Sequence, residues 1–129
     1  MNTLVKETAV LALQPAADHT GKEGYFVEFS SGQASVSNSA TDEVIGVIID
    51  GETTAGRSSI ALCGAFAGIV KVKLNNASAS QGDFLVLHTD GTVKTDPGTG
   101  GRCRVARALE GGAANELINA VLMHPLALS

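Results

Sequence analysis

The stretch GYFVEFSSGQASV, Gly24 to Val36, returns as GDFLVLHTDGTVK, Gly82 to Lys94. Both begin Gly-x-Phe, both run through apolar positions into small polar residues, and both then reach a glycine. β-Branched and aromatic residues bounded by Ser, Asp and Gly read as a strand and its turn, so one strand-and-turn unit occurs twice. In the second copy Asp90-Gly91 is the residue pair favoured in a type I′ hairpin turn. Phe26 and Phe84 occupy matching positions and read as equivalent core plugs.

The repetition continues outward. LALQPAADHTGKEG parallels VKLNNASASQG, and GVIIDGETTAGRSSIAL parallels ARALEGGAANELINAVL. The halves run over residues 9–62 and 69–122, at a spacing near 58. A period of that length present only twice indicates duplication inside one barrel or sandwich, since a solenoid needs three or more units. Halves that cannot bury an apolar face alone are expected to close on one another across a pseudo-two-fold axis. The fold class is therefore all-β, a small β-barrel or tulip-like sandwich of about eight to ten short strands. It forms a single domain over 9–129, preceded by a flexible arm over 1–8. SSIALCGAFAGIVKVKL reads as two strands or one bent strand, because Gly64 and Gly68 weaken any helix. A helix over Ala113 to Met123 is the lesser alternative at the end of the chain.

Composition narrows the function classes. The 129 residues carry 17% charged side chains, against about 25% in an average soluble domain, and much of the surface must be neutral and small. A net charge of −4 argues against nucleic acid, which calls for Lys and Arg to displace counterions from phosphates. Arg102 and Arg104 alternate on one strand and, with Arg107 nearby, read as a solvated face. The longest uncharged apolar stretch, Ile60 to Val70, is too short for a membrane helix. The N-terminus lacks the basic start and apolar run of a signal peptide. Cys63 and Cys103 lie far apart without metal-ligand spacing and read as buried free thiols, although a single pairing is open to them.

Catalytic residue types are present without catalytic arrangements. GRSS at Gly56 lacks the second glycine of a nucleophile elbow. HTGK at His19 has Ala16 where a phosphate loop needs glycine. His19, His88 and His124 have no ligand partner nearby in sequence, which favours structural or solvent-exposed roles and no metal. Asp50 and Glu52, with Asp42 and Glu43 upstream, are the one set of acids that a general acid–base pair would draw on. They fall at strand ends and turns, where Asp serves locally. A lipoyl or biotinyl carrier needs a lysine at a hairpin tip, and Lys71, Lys73 and Lys94 are elsewhere. The chain reads as a non-enzyme without a cofactor.

GYFVEF, EVIGVIIDG with TTAG, GIVKVKLN, ASQGDFLVLHTDGTV and RVARALEGGAANELINAVL together resemble the small capsid decoration, or cement, proteins of tailed bacteriophages. The resemblance spans Leu11 to Leu122 as a pattern of strand and turn residues, and departs from the usual ending at Asn115 and Asn119. It implies a partner, the major capsid protein, and binding as trimers to the outer surface of the expanded shell, in virions assembled in the host cytoplasm. It brings no catalytic residues. In lambda-type relatives an N-terminal arm adds to the capsid sheet. By position the matching segment is MNTLVKET, which makes Thr3, Leu4, Val5, Lys6, Glu7 and Thr8 the expected capsid interface. Physically, Thr3 to Thr8 alternates enough to pair with an exposed strand edge, and three such arms per trimer would combine weak contacts. The rival readings are another phage β-module of a tail or spike base, and a β-barrel that binds a small ligand or catalyses.

Overall fold

A computed structural model of the chain describes residues 9–41, 43–51 and 56–129. Among them are ten strands and no helix. The N-terminal half holds β1 (Val10–Leu13), β2 (Phe26–Ser30), β3 (Gln33–Val36), β4 (Gly46–Asp50) and β5 (Ser58–Leu62). The C-terminal half holds β6 (Ile69–Lys73), β7 (Phe84–Leu87), β8 (Val93–Thr95), β9 (Arg102–Ala108) and β10 (Leu117–Leu128). The architecture is all-β, two curled antiparallel sheets of five strands each. Their orders, β1-β5-β4-β2-β3 and β6-β10-β9-β7-β8, are the same order shifted by five strands.

The correspondence extends to single hydrogen bonds. Gly46 lies opposite Leu62 as Ala106 lies opposite Leu122. Gly24 N–H donates to Ile48 O at 2.8 Å, and Gly82 N–H donates to Ala108 O at 2.8 Å. Each sheet is also drawn round on itself. Past β1 a parallel bridge joins Pro15 to Ala34 on β3, and past β6 another joins Leu74 to Val93 on β8. Those bridges cover the outer edges of β3 and β8, which would otherwise offer unpaired backbone groups to other chains.

The halves meet through non-equivalent faces, which replaces the expected pseudo-two-fold contact. Phe26, Val47 and Ala61 of the first sheet are buried within the main core, beside Val72, Leu85, Val105 and Ile118 of the second. Their register equivalents are Phe84, Arg107 and Val121, and none of these is buried. Phe84 is therefore no core plug. It lies under two guanidinium groups, with Arg104 Cζ 4.1 Å and Arg107 Cζ 4.9 Å from the ring centroid. One half lays its outer face over the other's interior, and that other half's outer face is left to solvent. A second, smaller core of Val27, Ala34, Ile48 and Ile60 fills the first sheet's own concave side. Burying a side chain such as Phe26 completely stabilises the fold by about 1.5–3 kcal/mol.

One turn departs from the sequence reading. The two-residue turn with both φ angles positive is Ser31-Gly32, at 51° and 79°, between the paired Ser30 and Gln33. Asp90-Gly91 belongs instead to a longer loop closed by His88 N–H donating to Thr92 O, with Gly91 alone at positive φ. The Asp90 side chain accepts from the Thr92 N–H and hydroxyl, an arrangement that holds the longer loop. The Gly91 carbonyl accepts Phe26 N–H at 2.9 Å across the seam, so this loop is shaped by the opposite half. At the other end of the chain β10 is extended throughout, and its ladder with β9 is interrupted between Leu122 and Leu126 around Pro125, which has no N–H to donate.

Candidate interaction surface

An apolar cleft of about 630 Å³ lies where β1, β2 and the end of β5 approach β9 and β10. Phe29 stands on its wall at 59% exposure, a large apolar side chain left open to water. Leu11, Ile45, Pro125 and Ala127 continue the lining, and Thr41, Glu43 and His124 supply its polar groups. Phe29 shares a strand face with Val27, two residues earlier in the concave core, and it is exposed because the strand runs out beyond that core after Glu28.

Both cysteines line this cleft, one from each half, and both are free thiols. Burial, reinforced by the neighbouring Cys103, pushes the Cys63 thiol up to about 12. Burial likewise raises Cys103, with the Glu43 carboxylate adding to it. At neutral pH both stay protonated, and a protonated thiol is a poor nucleophile and metal ligand. The cleft is built for apolar contact.

Other titratable groups serve as internal ties. His19, in the loop before β2, is 1% exposed, and its Nδ1 shares a 2.8 Å hydrogen bond with the Ser58 hydroxyl. Ser58 is buried as well, so this Ser–His pair has no opening through which a substrate could reach it. His19 Nε2 is buried without a hydrogen-bond partner. Burial, aided by nearby Lys22 and opposed by Asp18, holds its pKa below the ordinary value. His88 lies 3.4 Å from Asp90 in an exposed turn. Among the described residues no three of His, Cys, Asp and Glu come together as a metal site.

The arginines are placed differently from the sequence reading. Asp96, in the glycine-rich loop after β8, accepts from Arg102 Nε, from Arg104 Nη2 at 2.6 Å and from Gly98 N–H at 2.8 Å. The Asp96 side chain is only 7% exposed. The hydrogen bond from Arg104, helped by Gly98 and Arg102, holds the carboxyl down at about 2 against the cost of burial. Arg102 and Arg104 are thus committed to an ion-paired knot rather than a solvated strand face. The cue in the sequence was an aspartate at the start of a Pro-Gly loop just ahead of two alternating arginines.

Among the sequence candidates, Thr3, Leu4, Val5, Lys6, Glu7 and Thr8 lie outside the described residues, as do Asp42 and Glu52. Asp50 is exposed at the end of β4, and Glu43 stands at the apolar cleft without a second carboxylate lining it. Sequence reasoning missed Phe29, because exposure of an apolar residue within a strand depends on where the partner sheet ends. Comparison with protein-family models found no match, and comparison with curated proteins found none either.

Proposed function

We propose that this chain is a structural protein that docks on a protein shell, in the manner of a phage capsid decoration protein. The observation that carries the reading is the apolar cleft: the large Phe29 side chain open to water beside thiols held protonated, with its polar groups Glu43 and His124 not paired with one another. Exposed apolar surface rimmed by polar residues marks an interaction site. A surface with few charges can approach a partner at low desolvation cost. The resemblance in strand and turn pattern supplies the partner, the major capsid protein, the outer surface of the expanded shell as the location, and a trimer as the bound form. The role is mechanical, tying neighbouring capsomers against internal pressure, and involves no catalysis.

Purified protein mixed with expanded capsids lacking it should co-sediment with them, and failure to do so sinks this reading. Deleting Asn2 to Thr8 should weaken co-sedimentation while leaving the fold intact. A second reading draws on the cleft's volume, which lies within the range of small-ligand sites. A stoichiometric small molecule retained in native mass spectrometry would favour that reading.

A further inference from the structure

A second cleft, of about 340 Å³, opens along the seam between β4 and β6. Its walls include Ile48, Ile49, Phe66, Ile69 and Leu117. Ile69 is 63% exposed and Leu117 43% exposed. At one end the seam is closed, because Lys73 N–H donates to Gly24 O at 3.0 Å. That bond fixes the direction of the strand's backbone groups. Lys73 N–H points away from β10, so the N–H groups of Lys71 and Ile69, two and four residues earlier, point the same way. Along that side β10 is replaced by the cleft, and among the described residues neither Ile69 nor Lys71 finds a backbone partner there. The edges of β3 and β8 are covered by bridges, and β6 is left uncovered beside an apolar groove.

We infer that the β6 edge is a strand-acceptor site, which takes an extended segment of a partner protein with alternating apolar and acidic residues. An unpaired backbone edge is satisfied by another extended backbone, whose N–H and C=O groups are spaced to match. Alternation follows from the pleat. On one face an added strand would lie beside Ile69, Lys71 and Lys73, and on the other beside the apolar Val70, which also lines the cleft. The acidic requirement follows from charge. Residues 69–129 carry six Lys and Arg against five Asp and Glu, whereas residues 1–62 carry three against eight. Lys71 has an exposed ion pair with Glu110 at 3.6 Å, and Glu23 at the cleft accepts the Gly51 N–H. Lys73 makes no ion pair among the described residues. The inference goes beyond the capsid reading, since it concerns the chemistry of the strand and holds for whichever protein carries it.

The probe is a short capped peptide alternating valine and glutamate, titrated into the isotope-labelled full chain and followed by amide NMR. The expected result is movement of the Ile69, Lys71 and Lys73 signals and at least tenfold slower exchange of the Ile69 and Lys71 amides. Lys71→Pro removes one outward N–H and leaves the β10 ladder its donors, so it should weaken binding at least tenfold in a chain that melts near wild type. Should that variant fail to fold, the same peptide N-methylated at alternate amides is tested on the wild-type chain and should bind at least tenfold more weakly. A valine–lysine peptide should also bind more weakly than the valine–glutamate one. No binding, binding that moves signals elsewhere, or indifference to Lys71→Pro and to N-methylation would each overturn the inference. Capsid co-sedimentation is read separately and is unaffected by these outcomes.

Discussion

Replacing Asp96 by Asn tests whether the knot of Arg102, Arg104 and the glycine-rich loop is a stabilising element. The carboxyl is held at about 2 against an ordinary 3.8. At about 1.4 kcal/mol per pKa unit this corresponds to roughly 2.5 kcal/mol, which solvent screening reduces to about 1–2. The substitution also leaves two partly buried guanidinium groups without their counter-charge, so the total loss should be about 2–3 kcal/mol. An unfolding entropy of about 2.1 cal/mol/K per residue over 129 residues gives roughly 0.27 kcal/mol/K. The melting temperature should therefore fall by about 7–11 °C at pH 7. The pH dependence has a fixed sign. The native carboxyl binds its proton less readily than the unfolded one, so the stabilisation is complete above pH 3.8 and is lost as pH falls toward 2. Chemical denaturation between pH 2 and 5 should show that acid limb in the wild type and a flatter one in Asp96→Asn. A melting point within about 2 °C of wild type, with an unchanged acid limb, would refute the reasoning.

His19 titrates with the same sign at higher pH. Its folded pKa is depressed, so stability should decline as pH drops below 6.5, and His19→Phe should remove that decline in denaturant titrations. Phe26→Ala should cost about 3–5 kcal/mol by opening a cavity in the core. Phe84→Ala should cost about 1 kcal/mol, since it removes a partly buried ring outside the core and its cation–π contacts; equal losses in calorimetry would contradict the unequal placement of the two rings. Gly24 and Gly82 both sit near φ +90°, yet a Cβ on Gly24 would meet Leu117 Cδ2 at 2.5 Å and Lys73 N at 3.0 Å, whereas one on Gly82 meets nothing within 4 Å. Gly82→Ala should cost about 1–2 kcal/mol for backbone strain alone, and Gly24→Ala should cost more and loosen the seam, read as faster exchange of the Lys73 amide.

Much of the fold was legible because strand and turn are written locally. Alternation in VIGVIID and IVKVKL, and the glycines that end each strand, placed β4 and β6 to within a residue or two. The duplication was legible from Gly24 and Gly82, since both copies need the same positive φ to start β2 and β7. What could not be read is whatever depends on the opposite half. Gly91 looked like part of a two-residue turn, and its loop is set by a hydrogen bond to Phe26. Phe84 looked like Phe26, and its face happens to have no sheet above it. The exposed Phe29 was hidden for the same reason, as was the open edge of β6.

The unequal fates of equivalent residues bear on why the repeat is useful. Two copies joined across a symmetry axis would bury the same face twice and leave a closed object. Packing the outer face of one copy over the interior of the other leaves unlike surfaces behind. The seam between the halves keeps the thiol-lined cleft beside Phe29, and the second sheet keeps the basic face with Phe84 and the free edge of β6. The substitutions in the second copy follow from that exposure: Arg107 stands where the first copy has the buried Val47. A burial-driven face has there been converted to a solvated one without changing the backbone. A duplicated chain arranged this way gains two different surfaces from one strand plan, which fits the proposed docking role.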